Sequence, residues 1–289
     1  MEIFAKHARV IFLGGLALGV MVIWYAVFYF ASHQNLGVTV FDIGQGDAIF
    51  IEVSGGNQIL VDGGPNDRIL AKLGAALPFW DRSIDLLIVT HPHADHIGGF
   101  LDVLKRYEVG MVMTSGVGYG TPEYEEWEKL IKQYAIPVVL ARKGQRIDAG
   151  SGVVLDILSP AEDVTAGANH PHGANIISRL SYGDTAMLLT GDAERALEYR
   201  LLFESPDMLD ADILKVGHHG SKTSSTETFL KAVSPDVAVI SAGKKNRYGH
   251  PHQEVMERLA QLDIAVLRTD QEGDIRIESD GAGWRLIGR

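Results

Sequence analysis

Four side chains able to bind a metal ion lie within six residues of one another, in the segment 90–99, which reads THPHADHIGG. Imidazole nitrogen and carboxylate oxygen are ligands that zinc, manganese and iron accept. We expect His91 and His93 to face one ion. Asp95 and His96 would face a second, and two ions about 4 Å apart can act together on one displacement reaction. The alternative is a polar loop whose histidines bond only to backbone. Four ligand-type residues in so short a segment favour the metal site.

The elements that must hold these residues are short strands and helices that follow one another from residue 37 onward. Residues 85–90, DLLIVT, come directly before the histidine-rich segment and are mostly apolar, which predicts a central strand. Strands mixed with helices predict sheets enclosed between helical layers, which is an α/β fold class. The other strands are predicted at 38–43, 48–53, 58–62, 109–114, 136–141, 153–158, 176–182, 186–190, 213–216, 237–241, 265–269, 275–278 and 284–287, and helices at 67–77, 122–135, 193–203 and 252–262.

The segment before residue 37 has a different character. Residues 10–31 carry no charge over 22 positions, and a helix of that length spans roughly 33 Å, about the hydrocarbon thickness of a bilayer. Lys6 and Arg9 precede the apolar run, which predicts a cytoplasmic N-terminus. We therefore expect a single-pass cell-membrane protein, with one transmembrane helix in an anchor of residues 1–36 and an extracytoplasmic domain of residues 37–289. A cleaved signal peptide and a buried core helix are the alternatives.

Composition excludes some kinds of site and partner. The chain has no cysteine, which excludes disulfides and thiolate metal ligands. Its net charge of −11 at pH 7 argues against a protein that coats nucleic acid through bulk electrostatics. A local basic groove, or metal ions that supply positive charge, would still allow an anionic substrate.

Several motifs occur in an order typical of one family. The HxHxDH pattern is followed by glycines, and it is accompanied by FDIGQGDA at 41–48, LVDGG at 60–64, LLTGD at 188–192, LKVGHHGS at 214–221 and NRYGHP at 246–251. On these residues the chain resembles the metallo-β-lactamase superfamily, and within it the hydrolase domain attached to ComEC, the DNA-uptake channel protein of natural competence. The resemblance covers nearly all of residues 37–289 and implies an αββα sandwich. It does not extend to the channel portion, so we expect a standalone relative.

The resemblance also implies a ligand set for two divalent metal ions, Zn²⁺ or Mn²⁺. Asp192 should bridge both ions, because a carboxylate at the end of an apolar strand has two oxygens to divide between two cations. His218 resembles the last ligand of the second ion, beside Asp95, His96 and Asp192. Its neighbour His219 would point elsewhere in an extended segment. We therefore expect His219 to support the site or to contact a substrate phosphate, rather than to bind metal.

The first ion is expected to have a less complete ligand set. Family members commonly have a third histidine before the bridging aspartate, whereas this chain has Asn175 and Ser178, which match an Asn-x-x-Ser pattern of ComEC relatives. Both residues are expected beside the site. His170 or His172, from the preceding loop, could supply the missing nitrogen. Otherwise the first site is open.

Further polar residues are expected next to the metals. Asp47 lies in a glycine-rich turn and Asp62 at a strand end, where each could hold a ligand side chain in place. The segment 244–247, KKNR, is either an ordinary solvated loop or a contact for a phosphate-bearing substrate. Next to it, His250 is expected to lie closest to the chemistry, and His250 or His219 would assist the leaving group.

These features predict a metal-dependent hydrolase, specifically a phosphodiesterase or nuclease acting on DNA or another nucleic acid and linked to DNA uptake. Its partners would be the nucleic acid substrate, the lipid bilayer and a DNA-uptake channel protein, and its oligomeric state is open. One alternative is a cell-surface phosphodiesterase with a substrate other than nucleic acid. Another is a non-catalytic scaffold that keeps metal for stability. Purely structural metal sites are usually closed and mononuclear, which favours an enzyme.

Overall fold

The computed structural model describes residues 2–32, 35–161 and 171–287. Residues Glu2–Ser32 form one helix, α1, whose side chains are described at His7, at 12–25 and at Val27. Within the residues described, no helix is both long and apolar enough to cross a membrane. The anchor expected over residues 1–36 and the placement expected with it stay predictions.

Two β-sheets form the centre of the domain. The strands of the first sheet are β1 Leu36–Val40, β2 Ile49–Val53, β3 Gln58–Val61, β4 Ser83–Val89, β5 Glu108–Thr114, β6 Val138–Leu140, β14 Ile275–Ser279 and β15 Trp284–Ile287. Their order across the sheet is β15-β14-β1-β2-β3-β4-β5-β6. The strands of the second sheet are β7 Arg146–Gly150, β8 Val153–Ser159, β9 Ile177–Tyr182, β10 Thr185–Leu189, β11 Ile213–Lys215, β12 Val237–Ile240 and β13 Ala265–Arg268. Their order is β13-β12-β11-β10-β9-β8-β7.

Helices cover the outer face of each sheet. The first sheet packs against α2 Arg68–Ala76, α4 Phe100–Arg106 and α5 Pro122–Gln133. The second sheet packs against α6 Arg195–Glu204, α7 Glu227–Val233 and α8 Gln253–Gln261. Two further helices, α3 Ala94–Ile97 and α9 Thr269–Glu272, are short. Ile49 and Ile51 belong to the core between the sheets, whereas Phe50 belongs to the core under the helices, with Leu73 and Phe100. Strands that are apolar on both faces must be covered on both. The predicted α/β sandwich of αββα layers is therefore confirmed.

Most of the predicted strands and helices are present, with ends shifted by a few residues. The strand expected at 85–90 is β4, which pairs in parallel with β3 on one side and β5 on the other. Among the elements absent from the predicted list are β7 and the helices α3, α4, α7 and α9. β7 lies at the edge of its sheet and is largely exposed or half-buried, so its sequence, RIDAG, lacks the apolar run that identifies a buried strand.

Parallel pairing brings the predicted motifs to one edge of the sandwich. β3 pairs in parallel with β4, and β11 pairs in parallel with β10 and β12. Carboxyl ends of parallel strands meet at the same edge of a sheet. The residues that follow these strands are Asp62, the segment 90–96, Asp192 and the pair His218 and His219. Residues far apart in the sequence therefore converge where the two sheets end.

The glycines after the histidine-rich segment allow a close backbone approach. A Cβ on Gly99 would collide with the carbonyl oxygen of Gly63 and lie 2.7 Å from that of Asn66. We expect Gly99→Ala to lower the free energy of unfolding by about 3 kcal/mol, because neither backbone oxygen can move aside freely.

The matched control is Gly74→Ala in α2, where a Cβ would have no atom within 4 Å. It should raise the free energy of unfolding by about 0.5 to 1 kcal/mol, through the loss of backbone freedom in the unfolded chain. Urea denaturation of both variants measures the difference. Equal stabilities of the Gly99 and Gly74 variants would contradict the packing described for Gly99.

Candidate metal centre

One carboxylate lies between two groups of imidazole rings. Oδ2 of Asp192 is 3.6 Å from Nε2 of His91 and 3.7 Å from Nε2 of His218. Oδ1 of the same residue is 3.4 Å from Nε2 of His96 and 3.6 Å from Nε2 of His219. Asp192 is almost fully buried at the end of β10. Its two oxygens therefore face two different groups of possible ligands, as a bridging carboxylate requires.

The first group consists of His91, His93 and Asp192, whose ligand atoms all lie within 4.8 Å of one another. Nε2 of His91 is 3.0 Å from Nδ1 of His93, and Nδ1 of His91 lies 3.1 Å from Oγ1 of Thr90. The His93 ring packs near Tyr119, with ring centroids 5.1 Å apart. Two nitrogens and one oxygen therefore converge at the end of β4.

The second group consists of Asp95, His96 and His219, again with ligand atoms within 4.8 Å of one another. Oδ2 of Asp95 is 3.6 Å from Nε2 of His219 and 4.0 Å from Nε2 of His96. His96 and His219 are buried, whereas a third of the Asp95 side chain is exposed. This group is therefore enclosed on the protein side and open at Asp95.

Both buried histidines of the second group have a carboxylate near Nδ1, as a hydrogen-bond partner for His96 and as a charged neighbour for His219. Oδ2 of Asp62 lies 2.7 Å from Nδ1 of His96 and accepts a 2.6 Å hydrogen bond from the Thr90 hydroxyl. Oδ1 of Asp47 lies 3.4 Å from Nδ1 of His219, which also lies 3.1 Å from the backbone oxygen of Ser241. A carboxylate on Nδ1 leaves Nε2 to bind a metal ion. Asp47 and Asp62 thus lie where they can orient ligands.

Lys215 is a site residue that the sequence analysis missed. Its side chain is fully buried, and its ammonium group donates to Oδ2 of Asp47 at 2.8 Å and to the backbone oxygen of Val216 at 3.1 Å. A lysine inside an apolar strand is the signal that could have identified it, since buried lysines are almost always paired. Lys215 fixes the carboxylate that in turn contacts His219.

The close carboxylates and imidazoles strongly perturb one another. Burial lowers the pKa of His219, but the charges of Asp192 and Asp47 outweigh it and raise that pKa to about 10. Burial likewise lowers the pKa of His96, and Asp192 and Asp62 raise it well above its usual value. Burial raises the pKa of Asp192, and His219 and His96 hold it well below its usual range. Buried carboxylates of this kind need cationic partners, and metal ions could replace the protons on the rings.

The residues present fit divalent metal ions. Nε2 of His96, Nε2 of His219 and Oδ1 of Asp192 are buried and, in the part of the chain that the structure describes, have no hydrogen-bond partner. Ligands bonded at about 2.0 to 2.1 Å around a tetrahedral ion stand about 3.3 Å apart. The separations between ligand atoms in the second group and Asp192, from 3.4 to 4.0 Å, are near that value. A metal ion would therefore supply the missing partner of all three atoms.

The structure differs from the prediction for the two adjacent histidines. His219, rather than His218, joins Asp95 and His96, and His218 approaches the other oxygen of Asp192. The prediction assumed an extended segment. The φ angles are instead 48° at His218 and 53° at His219, in the left-handed region, which costs a non-glycine residue about 1 to 2 kcal/mol. Two such residues in succession direct both rings towards Asp192.

The residues expected near the first ion have different placements. Asn175 is buried and its amide nitrogen donates to the backbone oxygen of Thr190 at 2.8 Å, so it supports the turn that carries Asp192. Ser178 is buried on β9, where it pairs with Leu189 of β10. His170 lies outside the residues described, and of His172 only the backbone is described.

The cationic segment and His250 lie beside the second group. The His250 ring centroid is 6.2 Å from that of His219 and 5.7 Å from that of His218. Lys245, Asn246, Arg247 and Tyr248 line a groove of about 510 Å³, and Asp95 lies in its wall. Arg68, from α2, lines the same groove, and the sequence analysis missed it.

Comparisons with known proteins identify the family of the chain. The family model described as the metallo-β-lactamase superfamily matches residues 41–244. The chain is 31% identical over 281 residues to ComE operon protein 3 of Bacillus subtilis (strain 168), a match that covers 91% of this chain and 35% of that protein. It is 33% identical over 248 residues to competence protein ComA of Neisseria gonorrhoeae, covering 84% of this chain and 32% of that protein. The chain thus spans about a third of the length of these relatives.

A solved structure with the same fold is Igni18, a metallo hydrolase from the hyperthermophilic archaeon Ignicoccus hospitalis. The two superpose with a TM-score of 0.52 at 16% sequence identity, over 84% of this chain and 98% of that one. At this identity the likeness concerns the fold alone. From the family match, the competence-type relatives and the paired His and Asp groups, the chain belongs to the metallo-β-lactamase superfamily as a ComEC-type, competence-hydrolase-like protein.

Proposed function

We propose that this protein is a two-metal phosphodiesterase that cleaves nucleic acid. The observation that carries the proposal is the groove beside Asp95, which we call the cationic groove; its lining includes Gln45, Arg68, Asp95, Lys245, Arg247 and Tyr248. The chain as a whole has a net charge of −11, whereas this groove has three cationic side chains beside one candidate metal ligand, Asp95. Arginine and lysine at such a place suit phosphate groups.

An aromatic ring in the groove adds a contact for a base. Tyr248 is half-exposed and lies nearly parallel to the His250 ring, at 5.6 Å between centroids and 21° between planes. The guanidinium of Arg247 lies 4.9 Å from the Tyr248 ring centroid and donates to its hydroxyl at 2.7 Å. Aromatic faces next to cationic side chains are typical of proteins that bind single strands, where each stacked base contributes about 1 to 3 kcal/mol. This combination favours a nucleic acid over a small phosphodiester.

His250 is suited to donate a hydrogen bond to the reacting group. Nε2 of Gln45 lies 3.4 Å from Nδ1 of His250, and Oε1 of Gln45 accepts from the backbone nitrogen of Gly243 at 3.3 Å, which fixes the amide orientation. Nδ1 therefore accepts, and Nε2 carries the proton. Burial and the nearby His219 and His218 lower the pKa of His250 to about 4, so the ring is neutral near pH 7.

The candidate ligands and His250 have different roles in the proposed reaction. Two divalent ions, Zn²⁺ or Mn²⁺, held by the ligand groups would supply Lewis acidity and a nucleophile from water. His219 has its Nε2 among the candidate ligands and its Nδ1 on the backbone oxygen of Ser241 beside Asp47, so it takes no further part as a proton donor. Asp62 and Asp47 hold the rings in place, and His250 interacts with the departing oxygen.

The experiment that tests the substrate class neutralises the cationic groove. The triple variant Arg68→Gln, Lys245→Gln and Arg247→Gln should bind single-stranded DNA more weakly, because it loses cationic contacts to phosphate. Its affinity should also depend less on salt: each lost contact reduces the magnitude of the slope of log affinity against log salt by roughly 0.7. Hydrolysis of bis(p-nitrophenyl) phosphate should change little, since that substrate is too short to fill the groove. Fluorescence anisotropy at several salt concentrations gives the slope.

The matched control replaces three lysines on α4 and α5, Lys105, Lys129 and Lys132, by glutamine. It changes the net charge by the same amount at a different place, and its DNA affinity and salt slope should equal those of the wild type. If the groove variant also behaved like the wild type, the groove would be an ordinary solvated surface. A cell-surface phosphodiester other than nucleic acid would then be the better substrate.

We also propose a place at the membrane and a link to DNA uptake. Residues 10–31 contain no charge, and the described side chains Phe12, Leu16 and Trp24 of α1 are more than half exposed, which is typical of segments that contact lipid or a partner. The link to uptake rests on the names of the competence relatives. Protease added to intact cells should digest the hydrolase domain; its survival, beside a digested outward-facing control protein, would contradict this placement.

A further inference from the structure

Among the residues that the structure describes, the first ligand group offers two nitrogens and one oxygen. It contains His91, His93 and Asp192. Asn175 stands where a third histidine is expected, and its amide nitrogen is engaged with the backbone of Thr190. An ion held by only two nitrogens and one shared oxygen would have an open coordination position.

His218 is a further imidazole that faces the oxygen of Asp192 shared by this group. Its Nε2 is 3.7 Å from Oδ2 of Asp192, the oxygen that also faces His91 at 3.6 Å. The separations between ligand atoms in the other group run from 3.4 to 4.0 Å, so the distance to His218 falls within the range found there. The ring therefore approaches Oδ2 of Asp192 as closely as the candidate ligands of the second group approach one another.

His218 is also held from behind in the same way as the buried ligand His96. Its Nδ1 lies 3.3 Å from Oε1 of Glu194 and 3.5 Å from Oγ1 of Thr223, and the Thr223 hydroxyl donates to Glu194 at 2.9 Å. The same pattern, Nδ1 on a carboxylate and Nε2 towards Asp192, occurs for His96, whereas Nδ1 of His219 lies 3.1 Å from the backbone oxygen of Ser241 with Asp47 at 3.4 Å. A carboxylate on Nδ1 fixes the tautomer in which Nε2 can bind a metal ion.

The local chain path joins the two loops that carry these residues. The backbone nitrogen of His218 donates to the backbone oxygen of Gly191 at 3.1 Å, and that of Arg195 donates to the backbone oxygen of Thr223 at 2.8 Å. One short loop thus provides both Asp192 and Glu194, and it is tied to the loop that provides His218. His218 and His219, in successive left-handed conformations, reach the two oxygens of one carboxylate.

We propose that His218 is the third nitrogen ligand of the first metal ion, and that Glu194 is its positioning residue. The first ion would then be held by His91, His93, His218 and Asp192, three nitrogens and one oxygen, a set typical of zinc. The His218 side chain is 23% exposed, so it forms the rim of the first site, whereas His91 lies at its base with no exposed surface. This assignment concerns the metal ligands and does not depend on the substrate.

Metal analysis of double variants tests which group His218 belongs to. Asparagine replaces histidine in each variant, because it is too short to reach the ion and tolerates the left-handed backbone. The purified 289-residue chain is loaded with excess zinc and freed of unbound metal, and its bound zinc is then measured. The wild type should hold two ions, and His218→Asn one.

The two double variants separate the possible assignments. His93→Asn with His218→Asn should still hold one ion, because both changes affect the first group. His218→Asn with His219→Asn should hold none, because the two changes affect different groups. The reverse pattern would assign His218 to the second ion, and two ions in His218→Asn would show that it is no ligand. A wild type that holds only one ion in excess zinc would also overturn the proposal.

The role of Glu194 is tested where only the first ion remains, in the His219→Asn background. There Glu194→Gln should weaken zinc binding, measured with a competing chelator, by about 10- to 100-fold, as loss of an orienting carboxylate does. The matched control is Glu227→Gln, which lies on the exposed face of α7 in an ion pair with Lys231. It should leave the zinc affinity unchanged. If the Glu194→Gln and Glu227→Gln variants bound zinc with equal affinity, Glu194 would not position His218. These readouts are independent of nuclease activity.

Discussion

The Asp192→Ala variant is expected to hold neither metal ion firmly and to lose nearly all hydrolytic activity. Each oxygen of this carboxylate faces two imidazole nitrogens at no more than 3.7 Å, so one truncation removes a ligand from both groups. Two ions acting as Lewis acids contribute several kcal/mol to a hydrolytic reaction, which corresponds to a fall in kcat/KM of about three orders of magnitude. Metal content after zinc loading, measured beside initial rates, tests both expectations.

His93→Ala is the comparison for Asp192→Ala, because His93 belongs to the first group alone. It should lower the occupancy of one ion and leave the other bound. Asp207→Ala, an exposed aspartate, should change neither occupancy nor rate. If Asp192→Ala kept one ion as firmly as the wild type does, the carboxylate would not be the bridge.

Lys215→Met is expected to lower the free energy of unfolding by about 4 kcal/mol, a large effect for a single side chain. The Lys215 ammonium is fully buried against Asp47, whose pKa it helps to hold below the usual range although burial raises it. Without the lysine, a buried carboxylate loses its closest cation, and a buried charge without its partner is costly. Because Asp47 contacts Nδ1 of His219, zinc binding at the second group should weaken as well.

Two further variants make this expectation specific to burial. Lys231→Met removes a lysine that pairs with Glu227 at 2.6 Å on the exposed surface of α7, and should change the free energy of unfolding by less than about 0.5 kcal/mol. Lys215→Met combined with Asp47→Asn should recover part of the lost stability, because neither charge is then left alone. Urea denaturation measures all of them. Equal effects of Lys215→Met and Lys231→Met would contradict the buried pair.

The sheets could be predicted because their strands are apolar on both faces. Residues 48–51 alternate between the core under the helices and the core shared by the sheets, so both faces of the strand are apolar and the sequence shows an unbroken apolar run there. The metal segment could be predicted because four of the candidate ligands lie within six successive positions, from His91 to His96. The edge strand β7 could not, because an exposed edge places little constraint on residue type.

The division of the ligands between the two groups could not be predicted from the sequence. It depends on left-handed backbone at His218 and His219 themselves, a conformation that residues other than glycine rarely adopt and that the residue types do not indicate. Lys215 was missed because its partner Asp47 lies in a distant motif, and only the packing of the two sheets brings them together. The cationic groove could not be predicted for the same reason: its residues are distant in the sequence, since Arg68 comes from α2 and Lys245 from the loop after β12.

The most direct test of the central claim is a cleavage assay with the 289-residue chain on single-stranded DNA. Protein stripped with chelator should be inactive, and adding Mn²⁺ or Zn²⁺ should restore cleavage to the wild type but not to Asp192→Ala. Products should appear in proportion to the metal bound. Protein with two bound ions that leaves DNA intact, while a small phosphodiester is hydrolysed at the same centre, would contradict the claim that this site acts on nucleic acid.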